Sequence, residues 1–339
     1  MSCSSALVSS SSGPTLAAAP MLQTLGAVLV ILFCIVAQLE IFAVLSKQRW
    51  LPSKVSRKLT HIGCGGVMTT ALVLFPTNYW PARLAVSLSL VLFMFAFAVV
   101  AHLPEEKVQA LPDFVRARLD GFVHSMCRHG DRLELMRGTF YYAFAVATCV
   151  LLFWTAPVNV IIFSSLFVGD GVADPVGRLV TARLADWCKA AAAAEPSTKG
   201  GGAPPAEPSG LRHRGARPRS TDEKSTDERE GGEGKLLPLQ YRVGYFGVKS
   251  FSGSLAFFGA SLLAAFGWAS LFDGAGHYGP AFPFAHFMKS AAISIGVATI
   301  AEAISPPHVD NLLVTYAAAA VSFCLAESGV APYLLTTCA

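Results

Sequence analysis

The sequence predicts an all-α polytopic integral membrane protein with about eight transmembrane helices. Three observations carry this prediction: 53% of the 339 residues are hydrophobic, only 14% are charged, and the apolar residues occur in long uncharged blocks. A soluble domain usually contains about 25% charged residues, and a helix needs about 20 apolar residues to cross a bilayer. The apolar blocks are therefore expected to be surrounded by lipid and by neighbouring helices, and a large soluble domain is excluded.

Eight apolar blocks follow one another along the chain. They cover residues 21–45, 59–75, 82–103, 139–154, 158–168, 245–268, 287–304 and 312–325. The fifth block ends at the motif GDGVAD, which occupies residues 169–174, and we expect this helix to be interrupted there. The Ser- and Ala-rich residues 1–20 are predicted to be disordered or a targeting segment, and their composition leaves the destination open.

A charged stretch rich in Gly and Pro divides the membrane part in two. Residues 189–237 cannot bury enough apolar surface to fold. They are therefore predicted to be a disordered insertion between two membrane segments, 21–188 and 238–330. The eight cysteines include no CxxC pair, and we interpret them as small apolar residues rather than zinc ligands or disulfides.

The distribution of basic residues tests the eight-span arrangement, because short cytosolic connectors are enriched in Lys and Arg. With eight spans, 24 of the 26 Lys and Arg residues fall on one face of the membrane, and only Arg83 and Lys289 fall on the other. The arrangement therefore predicts that the basic face is cytosolic and that both termini lie on the opposite face.

Asp170, Asp174 and Arg178 follow one another at four-residue spacing, which places them on one face of a helix. Two carboxylates suit Mg²⁺, which shares its oxygen ligands with phosphates, and Arg178 could hold a phosphate. Gly169 and Gly171 allow the backbone to bend or to approach a ligand closely. An internal ladder of salt bridges is the alternative interpretation.

Three further polar groups fall on the same predicted face, and charges in or beside a span usually have a partner or a function. They are Arg57, Lys58 and His61 at the start of block two; Lys249, Ser252, Gly253 and Ser254 at the start of block six; and Glu302, Asp310 and Asn311 around the end of block seven. A helix start with Lys, hydroxyl residues and Gly can bind an anion, although basic flanks and snorkelling lysines are common. Carboxylates with Lys, Arg and His are the groups that phosphoryl transfer requires.

Five motifs stand in order between about residues 55 and 320. They are RKLTHIGCG, LMRGTFYYAFA, GDGVADPVGR, VKSFSGSLAFF and AEAISPPHVDN. Together they resemble the polyprenol kinase family, most closely its phytol and farnesol kinase branch, with dolichol kinase more distant. The resemblance implies phosphorylation of phytol, geranylgeraniol or farnesol in an endoplasmic reticulum or plastid membrane. It also implies CTP, or else UTP or ATP, as the phosphate donor and Mg²⁺ as the metal, with no nucleic acid partner.

The resemblance implies a role for each polar residue. The catalytic residues would be Asp170, Asp174, His61 and Glu302, with His61 or Glu302 accepting the alcohol proton. The metal ligands would be Asp170, Asp174 and Asp310. The residues binding the nucleotide would be Arg57, Lys58, Gly169, Gly171, Gly177, Arg178, Lys249, Ser252, Gly253, Ser254 and Asn311. Two positions depart from the family pattern, Pro175 after the second Asp and His308 in the last turn.

Three alternatives remain at this point. Dolichol kinase is one, although its chain is typically longer with more spans. A transporter is another, because interrupted helices with intramembrane acids also form ion sites; the missing repeat between the two halves and the position of the acids near one face count against it. A membrane cytidylyl- or phosphatidyl-transferase is the third, and the alcohol-phosphotransferase spacing DGxxAR followed by GxxxD is absent.

Overall fold

The computed structural model describes residues 15–48, 50, 53–77, 79–126, 132–133, 140–194, 240–242, 248–306 and 309–336. These residues form a helical bundle with one short β-hairpin. The predicted all-α membrane class is thus confirmed. Most of the N-terminal segment 1–20 and residues 195–237 of the predicted insertion lie outside the described residues.

The elements are defined here in chain order. The helices are α1 (Thr15–Lys47), α2 (Ser53–Ala71), α3 (Trp80–His102), α4 (Glu105–Gln109), α5 (Asp113–Met126), α6 (Phe140–Phe153), α7 (Pro157–Phe163), α8 (Asp170–Ala194), α9 (Phe251–Gly274), α10 (Phe284–Ile304) and α11 (Asp310–Glu327). The strands are β1 (Gln240–Arg242) and β2 (Val248–Ser250), and 3₁₀ turns cover Leu72–Leu74 and Pro332–Leu335. Helix α8 continues six residues into the segment predicted to be disordered.

Five helical stretches are long and apolar enough to cross a membrane. They are Met21–Leu45, Trp80–His102, Pro157–Ala191, Phe251–Gly274 and Phe284–Ile304. Helix α6 is apolar but shorter. Helices α2 and α11 coincide with the other two predicted blocks, and each contains charged residues, including Lys58 and Asp310. The chain is therefore a multi-pass membrane protein, and the count of eight spans stays a prediction.

The centre of the bundle is one continuous helix made of α7, a π-helical segment at Ser164–Gly169, and α8. All seven residues of α7 are buried, so this part of the chain is enclosed by protein. The helix continues through the GDGVAD motif. The interruption expected at this motif is therefore not confirmed; a π segment ends at Gly169, directly before Asp170.

Helices α1 and α2 pack antiparallel along their length. Gln38 Nε2 donates to the Thr60 carbonyl at 3.4 Å, and Gln23 Nε2 donates to the Leu74 carbonyl at 2.9 Å. Helix α3 packs against α6, α8 against α9, and α10 against both α9 and α11. The amino-terminal half of α2 is thereby brought to the start of α8.

The β-hairpin pairs β1 with β2 antiparallel and places Tyr241 opposite Lys249. Helix α9 then begins at Phe251, with Ser250 as its N-cap. The helix starts later than the predicted block 245–268, because residues 248–250 are extended and their backbone pairs with β1.

Candidate functional site

A buried ion pair joins α2 to α8 at the start of the GDGVAD motif. Lys58 Nζ lies 2.8 Å from Asp170 Oδ2 and 3.1 Å from the Asp170 carbonyl oxygen. The two side chains are only 15% and 9% exposed. Because an unpaired buried charge costs several kcal/mol, each ion needs the other, and the pair fixes α8 against α2.

His61 lies one turn after Lys58 and faces the same carboxylate. Its Nε2 is 2.8 Å from the Leu166 carbonyl oxygen and 3.5 Å from Asp170 Oδ2. The Leu166 carbonyl belongs to the π segment, a geometry that is frequent at functional sites. In the neutral ring Nε2 donates to this carbonyl, which leaves Nδ1 as the acceptor of the imidazole.

Two aromatic rings hold the imidazole of His61. The Tyr142 ring centroid lies 4.2 Å from that of His61, and the Phe167 centroid lies 6.3 Å from it. The Tyr142 hydroxyl also donates to the His61 carbonyl oxygen at 3.5 Å. Sequence reasoning missed Tyr142 as a site residue, although it belongs to the motif LMRGTFYYAFA. Its role becomes visible only once α6 is placed beside α2.

The two glycines of the GDG triplet allow α8 to pack closely against its neighbours. A Cβ atom at Gly169 would lie 2.2 Å from Ser261 Oγ of α9, and one at Gly171 would lie 2.2 Å from the Ile62 side chain of α2. The close approach expected at these positions is thus made by protein side chains. A nucleotide-binding role for these glycines stays a prediction.

A cavity of about 230 Å³ lies among α1, α2, α3 and α6. Its charged and amide side chains, which we call the polar end of the cavity, are Arg57, Lys58, His61, Asp170, Asp310 and Asn311. Its walls are mainly apolar and include Ile31, Leu32, Met68, Val86, Phe93 and Val146. One space therefore joins a charged cluster to an apolar interior.

Asp310 and Asn311 reach the polar end from the start of α11. The Asn311 backbone N–H donates to Asp310 Oδ1 at 3.0 Å, and Asp310 interacts electrostatically with Asp170 and Lys58. Asn311 Oδ1 is buried and has no hydrogen-bond partner among the described residues. A buried acceptor without a partner is destabilising, so a hydroxyl donor in the cavity would satisfy it.

A second ion pair lies beside the cavity, between β2 and α10. Lys249 Nζ donates to the Glu302 carbonyl oxygen at 3.0 Å and also bonds the Glu302 carboxylate. Lys249 acts electrostatically on both Asp170 and Asp310. Neither Lys249 nor Glu302 belongs to the residues that line the cavity. Of the two predicted proton acceptors, only His61 therefore faces it, while Glu302 is held by its lysine.

The hydroxyl residues after Lys249 form the start of α9. Ser250 Oγ accepts from the Gly253 backbone N–H at 3.1 Å and from Ser252 Oγ at 3.3 Å. Ser254 Oγ lies 3.1 Å from the Tyr241 hydroxyl of β1. This segment is therefore a capped helix start, and its predicted role in anion binding stays a prediction.

Asp174 and Arg178 lie further along α8, outside the residues that line the cavity. Arg178 Nε is 2.8 Å from Asp174 Oδ1, and the side chains are 62% and 41% exposed. Gly177 packs against α9, where a Cβ atom would lie 2.4 Å from Ser250 Oγ. The structure thus brings Asp170 into the polar cluster and pairs Asp174 with Arg178 outside it. The predicted roles of Asp174 and Arg178 stay predictions.

Among the described residues, no group of three His, Cys, Asp or Glu side chains is arranged to hold a metal ion by itself. Mg²⁺ at phosphoryl-transfer sites is usually held by one or two carboxylates together with substrate phosphates. Asp170 and Asp310 place two carboxylates at the polar end of the cavity. These two carboxylates are the kind of ligand that Mg²⁺ takes, and a magnesium ion at this place stays a prediction.

Comparison with known proteins gives several relatives of about 30% identity. The chain is 30% identical over 142 residues to a probable chloroplastic phytol kinase 3 of Glycine max, which covers 41% of this chain and 40% of the relative. It is 33% identical over 175 residues to a probable chloroplastic phytol kinase of Triticum aestivum, covering 51% and 53%. It is 30% identical over 138 residues to a chloroplastic farnesol kinase of Arabidopsis thaliana, covering 40% of each chain.

The match to these three relatives spans between 40% and 53% of their own length. No family model matches the chain. No solved structure matches it either. The similarity to several proteins of the same kind nevertheless confirms the resemblance predicted from the five motifs, which is to the phytol and farnesol kinase branch of the polyprenol kinases.

Proposed function

We propose that this protein transfers the γ-phosphoryl group of a nucleoside triphosphate to an isoprenoid alcohol, at the cytosolic-type face of a plastid membrane. The observation that carries the proposal is the cavity, because one space has apolar walls among membrane helices and a charged end. The relatives are called phytol kinase and farnesol kinase, and both names include "chloroplastic". These names support phytol or farnesol as the acceptor and a plastid location, and geranylgeraniol is the third candidate.

The acceptor alcohol matches the cavity, because it has an apolar chain and one polar group, the hydroxyl. The hydroxyl would lie at the polar end, where Asn311 Oδ1 accepts its hydrogen bond. The chain would contact the apolar walls. Holding the hydroxyl in one position converts the reaction into an effectively unimolecular step, and positioning is the main contribution a protein makes to phosphoryl transfer.

His61 would accept the proton of the hydroxyl. It lines the cavity, and its Nε2 is engaged by the Leu166 carbonyl at 2.8 Å, so Nδ1 is the nitrogen free to take a proton. Asp170, 3.5 Å from Nε2, stabilises the imidazolium that forms. A positioned base of this kind typically contributes about 10²–10⁴ in rate.

The nucleotide would approach the polar end with its phosphates towards the cationic side chains. Arg57 and Lys58 line the cavity, and Lys249 acts on the same carboxylates from beside it. Asp170 and Asp310 would hold Mg²⁺, with Asp174 and Arg178 as the outer, exposed part of the site. When bound, Mg²⁺ neutralises phosphate charge. CTP is the expected donor, with UTP and ATP as the alternatives.

In the reaction the alcohol oxygen forms a bond to the γ-phosphorus, and the bond from that phosphorus to the β–γ bridging oxygen breaks. The nucleoside diphosphate leaves, and the hydroxyl proton passes to His61. The product is a lipid monophosphate, which distinguishes a kinase from an enzyme that makes a nucleotide-linked lipid and releases pyrophosphate.

The proposal is tested with membranes that contain the protein, Mg²⁺ and γ-labelled CTP, UTP or ATP, against C15 and C20 isoprenoid alcohols. We expect label in a lipid monophosphate. Asp170→Asn and His61→Ala should each reduce the rate by about 10²–10⁴. Asp113→Asn is the matched control, because Asp113 is 91% exposed and pairs only with Arg116 among the described residues.

Unlabelled lipid from every donor and acceptor, with the protein intact in the membrane, would contradict the kinase. A nucleotide-linked lipid with released pyrophosphate would indicate nucleotidyl transfer instead. Ion flux through reconstituted protein, without any lipid product, would favour the transporter alternative.

A further inference from the structure

We propose that the apolar part of the cavity binds the isoprenoid chain through an opening between α1 and α3, and that a floor made by Ile31, Met68 and Val86 sets the longest chain accepted. This inference rests on the proposed function. It adds the entry route of the acceptor and the residues that determine its chain length.

The direction of the cavity follows from how its helices pair. Along α2 the lining residues run from Lys58 and His61 at the polar end to Met68. Ten residues of helix separate Lys58 from Met68, which corresponds to about 15 Å along the axis. The bonds from Gln38 to Thr60 and from Gln23 to Leu74 place Ile31 of α1 at the level of Met68.

Helices α3 and α6 form the other wall of the cavity, which also runs from the polar end to the floor. Arg83 bonds the carbonyls of Leu151 and Leu152, which fixes α3 antiparallel to α6. Val86 therefore lies far from Tyr142, the α6 residue that contacts His61. All three floor residues are distant from the reacting end.

The three floor residues are buried. Met68 and Val86 are each 4% exposed and Ile31 is 6% exposed, although all three line the cavity. A longer chain would therefore have to displace these packed side chains. Methionine is flexible and polarisable, so Met68 can adapt to the end of a branched chain.

The opening lies on the lipid side. Leu32 of α1 and Phe93 of α3 line the cavity but are 46% and 39% exposed. Both belong to stretches that are long and apolar enough to cross a membrane, so their exposed surface faces lipid. An alcohol dissolved in the bilayer can enter sideways between them without passing through water.

The test changes the size of the floor and measures relative rates with alcohols of increasing length, C15, C20 and longer. Met68→Phe fills space and should lower the ratio of C20 to C15 phosphorylation about tenfold. Met68→Ala enlarges the space and should shift the ratio towards longer chains. Met68→Leu conserves volume and should leave it within about twofold.

Met94→Ala and Met94→Phe are the matched controls. Met94 is buried on α3 but does not line the cavity, so these changes perturb packing without altering the floor. The chain-length inference is overturned if the ratio of C20 to C15 phosphorylation shifts equally in the Met94 variants. It is also overturned if this ratio shifts in neither Met68→Phe nor Met68→Ala while C15 alcohol is still phosphorylated. In both cases the proposed kinase activity is retained. Wild-type membranes that phosphorylate no alcohol overturn both proposals.

Discussion

At one end of the bundle, buried polar side chains pair with one another around a cavity, whereas at the other end they bond to backbone carbonyls. The first end is represented by the Asp170 carboxylate, which lies 2.8 Å from the ammonium of Lys58 and 3.5 Å from the imidazole of His61. Arg83 represents the second, where its guanidinium bonds the carbonyls of Leu151 and Leu152. Both arrangements give polar groups a partner in an apolar setting.

The second end, which we call the capped end, consists of Arg83, Trp154, Asn159 and His277. Trp154 Nε1 donates to the Pro76 carbonyl at 3.1 Å, Asn159 Nδ2 donates to the Trp154 carbonyl, and His277 Nε2 lies 3.1 Å from the Val73 carbonyl. The carbonyls at helix ends lack partners within their own helix. The four side chains supply hydrogen-bond donors to such carbonyls.

The difference shows that a polar residue in a membrane protein is not by itself a sign of function. At the capped end each named donor is matched to a carbonyl of the same chain. At the polar end of the cavity, Asn311 Oδ1 has no partner among the described residues, and His61 Nδ1 is left as an acceptor. Asn159 Oδ1 and His277 Nδ1 at the capped end also have no partner among the described residues. What distinguishes the candidate site is therefore the cavity that its polar side chains line, because none of the four capped-end residues lines it.

The largest effect is expected from separating the two ions of the Lys58–Asp170 pair. Lys58→Met or Asp170→Leu alone leaves a buried charge and should lower the free energy of unfolding by about 3–5 kcal/mol. The double variant removes both charges and should recover most of that stability. Phosphorylation should be lost in all three, as measured by thermal unfolding and by the labelled-nucleotide assay.

The exposed pair of Asp113 and Arg116 provides the control for this cycle. A surface pair contributes about 0–1 kcal/mol, so neutralising either partner should change neither stability nor rate appreciably. Full activity in the stable double variant of Lys58 and Asp170 would show that the buried pair only stabilises the fold. The two ends of the bundle would then not differ in function at this pair.

A middle-sized effect is expected at the capped end. Arg83→Ala leaves the carbonyls of Leu151 and Leu152 without this donor and should cost about 1–3 kcal/mol of stability. The turnover of protein that remains folded should be unchanged, because Arg83 does not line the cavity. Thermal unfolding and the rate per folded molecule check both statements. A lower turnover at normal stability would show that the capped end takes part in function.

The smallest effect is a pH dependence at the turn between α9 and α10. Burial lowers the pKa of His277 below its ordinary value of about 6.5, an effect opposed by its bond to the Val73 carbonyl. The folded state therefore holds His277 neutral, and the unfolded state takes up the proton first as the pH falls. Stability should decline below about pH 6.5 and be unaffected above it.

His277→Gln should remove this part of the acid sensitivity. The measurement is the melting temperature of both proteins between pH 5 and pH 8, because their difference isolates His277 from other titrating groups. Parallel curves across this range would show that His277 carries no linked proton, and the capped end would then act through hydrogen bonds alone.

Much of the fold could be predicted from composition and hydropathy. Five of the eight predicted blocks coincide with helices able to cross a membrane. The distribution of Lys and Arg over the connectors predicted that Lys58, His61 and Asp170 lie on one face, and the structure brings their side chains together. Long apolar runs predict membrane-spanning helices well, and an isolated charge within one indicates a special role, because a charge in lipid is energetically costly.

Depth and partners could not be predicted in the same way. Asp170 and Asp174 share a helical face, yet a step of four residues moves a side chain about 6 Å along the axis. Here that step places Asp174 outside the polar cluster. The cavity depends on α1, α3 and α6, which are distant in sequence. For that reason Tyr142 and Met68, which look like ordinary apolar-block residues, could not be identified beforehand.

The order of the two ions along the chain bears on how the protein is made. Lys58 precedes Asp170 by 112 residues, so α2 is synthesised and placed in the membrane well before α8 emerges. An acidic residue at the centre of a lone helix resists insertion by about 2.5–3.5 kcal/mol. Because the Lys58 ammonium is already in the membrane, we expect it to pair with Asp170 and lower this cost. Lys58 would then promote the insertion of α8 as well as stabilise the folded protein.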